Sequence, residues 1–166
     1  MALVRKLVGS VAILMLLVLA LVGGYLAGRS GIGSVVEPAS LSEAERRFSE
    51  RMKGASLIGQ FTVTGREDRP ANPERYDISS VEKVGDDLWR FNARIRYGSV
   101  DSILPIVVPM RFTGDTPMIS MTDLAIPGMG SFTVRVVFYG DQYAGTWLAV
   151  GKVGGHMFGK IERGGE

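Results

Sequence analysis

The chain of 166 residues is long enough for one domain with a true core and too short for two once its N-terminus is set aside. Its formal charge of +2 misleads, because Arg5, Lys6 and Arg29 flank the first apolar run; without those three, 16 basic residues face 17 acidic ones, and the basic face that a nucleic-acid partner requires is missing. Cysteine is absent, which excludes disulfides, thiolate metal sites, cysteine nucleophiles and a lipidated-cysteine anchor, so any attachment to a membrane must come from the polypeptide itself.

Met1 to Lys6 is short and basic, and residues 7–28 carry no charge. As a helix rising about 1.5 Å per residue, that run spans roughly 30 Å, the hydrocarbon thickness of a bilayer. A cleaved signal peptide is the competing reading, but its apolar region is usually only about 7–15 residues and ends at a small-x-small site. Here the run is longer, and Tyr25-Leu26-Ala27 has no small residue at the first of those positions; cleavage after Ala20 or Gly24 stays open. The expectation is an anchor over residues 1–29, left in place. Arg5 and Lys6 then stay in the cytoplasm, and the C-terminal part of a single-pass membrane protein faces the periplasm or the exterior.

Residues 30–39 are rich in glycine and serine and read as a flexible spacer. A short amphipathic helix is expected over 40–54. Ser40-Leu41-Ser42-Glu43 and Ser42-Glu43-Ala44-Glu45 both have capping-box spacing, Leu41, Ala44, Phe48 and Met52 share one face, and Gly54 stands where a left-handed cap belongs. That face can cover one end of a β domain. Arg46, Arg47, Arg51 and Lys53 suggest the alternative of a helix lying on anionic lipid, which Glu43, Glu45 and Glu50 oppose.

From residue 55 to 166 the pattern is β. Leu57, Gly59, Phe61 and Val63 alternate with polar residues; Gly65 to Arg75 reads as a polar loop; Tyr76 to Val84 is a weaker strand. Trp89, Phe91, Ala93, Ile95 and Tyr97 alternate with Arg90, Asn92, Arg94 and Arg96, so one face is buried and the other wet. Asp101 to Val108 is apolar but holds Pro105 and is followed by Pro109, which predicts an edge strand or one broken by a bulge, continued briefly by Arg111-Phe112-Thr113. Met118 to Ile126 follows. Phe132, Val134, Val136 and Phe138, then Tyr143, Gly145, Trp147 and Ala149, form two alternating runs joined by Gly140-Asp141, and a last strand follows Gly151 to Gly155. The whole is a mainly β chain, an antiparallel meander of about eight strands closing into a small barrel or half-barrel, with Gly59, Gly145 and Gly159 easing a strongly bent sheet.

Tyr143-Ala144-Gly145-Thr146-Trp147, Gly154-Gly155-His156-Met157-Phe158-Gly159 and Thr122-Asp123-Leu124-Ala125-Ile126-Pro127-Gly128 together resemble a group of small bacterial proteins with an N-terminal hydrophobic segment and a β-rich domain. The resemblance spans roughly Gly54 to Glu162. It implies that layout and carries no function. Gly145-Thr146-Trp147 also resembles the Gly-x-Trp of lipocalins, but theirs opens the barrel whereas this one lies near the end of the chain, so ligand binding does not follow from it.

Five residues are candidates for ligand contact. Trp147, beside Gly145, is either core or a stacking platform, and with Trp89 it is expected to point inward. Arg94 and Arg96 share a face with Arg90 that could hold an anion or simply be the wet side. His156 is the sole histidine, and Asp123 interrupts an apolar strand where an unpaired carboxylate is costly to bury, with Arg94, Arg96, Arg111 or Arg135 as partners. Asp115-Thr116-Pro117 lacks the glycine of an aspartic-protease turn, so Asp115 reads as a turn-former. No catalytic residue, metal site or cofactor is assigned. The leading expectation is a non-enzymatic module that binds a protein or a small apolar ligand, tethered through residues 7–28; the alternative is a hydrolase using His156 with Asp123 or Asp115.

Overall fold

The computed structural model describes residues 35, 37, 40–126 and 128–163. Among the described residues one helix, α1 (Glu43–Met52), precedes eight strands: β1 (Ala55–Phe61), β2 (Asn72–Lys83), β3 (Leu88–Tyr97), β4 (Val100–Thr113), β5 (Thr116–Ile126), β6 (Gly130–Tyr139), β7 (Gln142–Ala149) and β8 (Gly154–Arg163). Each strand pairs antiparallel with the next, and β8 returns to β1, so the meander is a closed barrel. Closure removes both sheet edges. The expected membrane span at residues 7–28 lies outside the described residues; among the described residues no helix is long and apolar enough to cross a membrane.

Alternation decides which side chains enter the barrel. On β3, Trp89, Phe91, Ala93 and Ile95 are buried and the intervening arginines lie on the outer wall. Val136 and Phe138 of β6 and Tyr143 of β7 enter from the opposite side of the closed sheet. The turns between strands are made where glycine supplies a positive φ, at Gly114 between β4 and β5 and at Gly140 between β6 and β7.

α1 plugs one end. Ser42 and Glu45 form a reciprocal capping box, which satisfies free amides of the first turn. Phe48 and Met52 then drop into the barrel, where the Phe48 ring meets Trp89 at 6.4 Å, Phe112 at 5.9 Å and Phe138 at 5.3 Å. Lys83 Nζ on β2 reaches Glu45 at 2.6 Å, and the Ser49 hydroxyl donates to the Val81 carbonyl, so polar contacts hold the helix in place.

Two strands differ from their sequence outlines. β2 begins at Asn72, inside the stretch that reads as a loop, because Phe61 pairs with Asn72 and Gln60 with Pro73 on β1. β4 runs unbroken through Pro105 and Pro109. Its pairing with β3 extends over its first ten residues, from Val100 to Pro109, whereas its pairing with β5 is confined to Met110 through Thr113. Met110 N–H donates towards the β3 side, to the Asp87 carbonyl at 2.7 Å; by alternation the proline nitrogens face the side on which β5 is not paired. A proline costs no ladder bond there.

Removing the plug's central ring deletes the packing of this end. Phe48→Ala is expected to destabilise the domain by roughly 3–5 kcal/mol, the usual cost of losing a buried phenylalanine. Tyr139→Ala, at a position 76% exposed, should stay within about 0.5 kcal/mol of wild type. Urea unfolding of the two variants separates these outcomes.

Candidate functional site

At the end away from α1 the interior is hollow. Closure brings Tyr143, Gly159, Gly59 and Glu74 into one lane across β7, β8, β1 and β2, each the register partner of the next. The Tyr143 ring lies over both glycines: a Cβ on Gly159 would stand 2.8 Å from its Cε1, and one on Gly59 would overlap its hydroxyl. The phenol therefore crosses two strands and donates to Glu74 Oε1 at 2.8 Å. Tyr76, two residues along β2, donates to Oε2 at 2.8 Å.

Glu74 is 5% exposed, and no other charged residue is buried among those described. Burial raises its carboxyl above the ordinary glutamate range, an effect that the two phenol hydrogen bonds oppose without cancelling. Tyr76 and Tyr143 are pushed far up, first by burial and then by the neighbouring Glu74 charge, so both remain donors at any physiological pH.

The cavity beside this cluster has a volume of about 220 Å³. Ile78, Ile95, Ile106, Val134 and Met157 furnish apolar walls, with Glu74 and the phenols of Tyr76, Tyr97 and Tyr143 among the lining groups. Three half-buried aromatics surround its outer end, with Phe61 edge-on to Tyr97 at 6.0 Å and to Trp147 at 5.8 Å. The β4–β5 ladder is the shortest in the barrel, from Met110 to Thr113 on β4. Beyond it, Ile106 and Val108 line the cavity from one side of the seam and Met121 and Ile126 from the other.

The five candidates from the sequence fall in different places. Trp147 faces inward and lines the cavity, while Trp89 is wholly buried under α1. Arg94 and Arg96 stand on the outer wall: Arg94 grips Asp101 with two bonds of 2.7 Å, and Arg96 pairs with Asp77. His156 is on the outer face of β8, opposite Thr146, and its backbone N–H donates to Thr62 Oγ1 at 3.0 Å. Asp123 occupies the bulge of β5 with φ of 49°, where its carboxylate accepts from the Thr133 hydroxyl at 2.9 Å and none of the four expected arginines reaches it. Instead Arg111 pairs with Asp87, and Arg135 donates to the Met121 carbonyl and to Thr122 Oγ1. Asp115 sits in the β4–β5 turn at the helix-covered end. β5 and β8 are three strands apart, about 14 Å of wall at ~4.8 Å per strand, and no hydrogen bond joins His156 to Asp123 or Asp115 among the described residues.

Comparison of the chain with protein-family models, with curated proteins and with solved structures finds no match. The chemistry of the site therefore comes from its own groups. Glu74, Tyr76 and Tyr143 escaped the sequence reading because the first fell in an apparent loop and the tyrosines passed as ordinary strand apolars. A usable signal was present in Gly59 and Gly159, two inward positions left empty by glycine.

The raised carboxyl of Glu74 has a sign that can be measured. Between the ordinary glutamate value and its higher folded value, the native state binds more protons than the unfolded state, so stability falls as pH rises through that window and is flat above it. Glu74→Gln cannot titrate. The unfolding free energy of wild type minus that of Glu74→Gln should decline across the window, and a difference that stays level or climbs with pH would contradict the assignment.

Proposed function

We propose that the barrel is the extracytoplasmic binding module of a membrane-tethered protein and holds a small, largely apolar molecule in its interior. The observation that carries this reading is the cavity of about 220 Å³ in a fold whose other end is tightly packed. Protein interiors are normally filled to crystal-like density. The space within this barrel departs from that density and is lined almost wholly by apolar side chains, as a binding pocket is.

The lining supports the same reading. Ligand pockets are mostly apolar, with a few placed polar groups that fix orientation, and here the isoleucines, valines and methionines surround a single carboxyl held by two phenols. Phe61, Tyr97 and Trp147 offer a flat aromatic rim for a ligand to cross. The tether rests on the uncharged run at residues 7–28 with Arg5 and Lys6 before it.

The test uses phenylnaphthylamine, a neutral probe that fluoresces in apolar surroundings. Saturable binding of one probe per chain is expected, with energy transfer from tryptophan. Val134→Phe, which adds bulk to the cavity wall, should weaken binding at least ~10-fold, or about 1.4 kcal/mol, while the domain still unfolds cooperatively. Equal binding by the filled variant would place the probe elsewhere and defeat the proposal.

A further inference from the structure

We propose that the molecule held in the cavity is a hydrophobic amine whose protonated nitrogen sits on Glu74. The proposal rests on the reading of the cavity as a binding site and concerns the polar end of its occupant.

Its starting point is an imbalance of charge. On the outside of the barrel a carboxylate either meets a cation, as Asp77 does with Arg75 and Arg96, Glu82 with Arg90, Asp87 with Arg111, Asp101 with Arg94 and Glu45 with Lys83, or is exposed to solvent, as Asp86, Asp115, Asp123, Asp141 and Glu162 are. Among the described residues Glu74 has neither a cation nor exposure to solvent. It is the buried carboxyl, it has no ion-pair partner among the described residues, and no lysine, arginine or histidine lines the cavity beside it. The two groups that hold it are neutral phenols. They orient the carboxyl and supply hydrogen bonds, but they bring no countercharge.

The arrangement is nevertheless built to accept more. A carboxylate offers about four acceptor sites, and the phenols at 2.8 Å use one on each oxygen, which leaves an acceptor site on each. An ammonium group provides both the donors for those sites and the missing charge, and charge-assisted hydrogen bonds are roughly twice as strong as neutral ones. An alcohol would provide a donor without the charge. A fatty acid would bring a second carboxylate beside the first, and one of the two would have to take up a proton. The remainder of an amine's length finds Ile95, Ile106, Val134 and Met157, all apolar. Tyr97 and Trp147 add aromatic faces near the outer end, which attract a cation on its way in.

The experiment is a displacement series on the full chain near pH 7, with phenylnaphthylamine bound and three competitors of equal chain length: octylamine, octanol and octanoate. Octylamine is expected to displace the probe at a concentration at least ~10-fold below octanol, a difference of about 1.4 kcal/mol, with octanoate weakest. In Glu74→Gln that advantage should vanish while octanol stays within about 3-fold of its wild-type value. The head-group ranking in wild type decides the matter even where the variant does not fold. Octanol equal to or better than octylamine in wild type, or an amine advantage that survives in Glu74→Gln, overturns the amine proposal and leaves the cavity as a site for another ligand. A probe that fails to bind at all overturns the binding site and the amine with it.

Discussion

The hydrogen bond from Tyr143 to Glu74 is possible only because two strands between them carry glycine. With side chains on the two intervening inward positions a phenol on β7 cannot reach β2; with Gly159 and Gly59 in register, the ring lies across the gap and its hydroxyl arrives at the carboxylate. Much else depends on that contact. A buried carboxyl without donors would cost several kcal/mol, so the strand that carries Glu74 would be hard to keep in register without the two phenols. The ring also occupies one side of the interior and leaves space against the isoleucines and valines of the other side.

Packing and polarity are divided between the two ends. Phe48, Trp89, Phe112 and Phe138 interlock under α1, where aromatic edges meet faces and the helix seals the barrel. That end supplies apolar burial, the dominant favourable term in folding. The far end gives up part of it: glycines replace side chains, a carboxyl enters, and three aromatics remain half-buried around an open volume. Such a sacrifice of packing is typical of functional regions, and it motivates the proposal of an apolar ligand with a polar end at Glu74. The guanidinium groups of Arg90, Arg94 and Arg96, by contrast, are engaged with carboxylates on the outer wall and hold neighbouring strands laterally.

Elements whose signal is local were legible in the sequence. The period-two pattern of Trp89 to Tyr97 and of Phe132 to Phe138 announces strands that are buried on one face, and Ser42 with Glu45 announces the start of a helix. The prolines of β4 also carried true information, since Pro105 and Pro109 lie along the stretch that β5 does not pair, although the strand continues through them. The cluster at Glu74 was not legible. Glu74 and Tyr143 are separated by 69 positions, and they meet only because β8 closes onto β1; Gly59 and Gly159 mark the lane, but the register that aligns them is set by closure and by no single stretch. Trp147 was nominated on local grounds and lies on the cavity, whereas His156 and Asp123 drew notice as unusual residue types and occupy the outer wall.

A ligand can bind beside Glu74 only if that space is an apolar cavity open to a guest. Xenon enters apolar cavities without needing any particular head group, so methyl carbon–proton spectra recorded under xenon pressure probe the space itself. Saturable shifts are expected for the methyl signals of Ile106, Ile119 and Val134, which line the cavity, with little change at Ile103, which is 80% exposed on the outer wall. Inner methyls that respond no more than Ile103 would show that the interior is filled and would contradict the cavity.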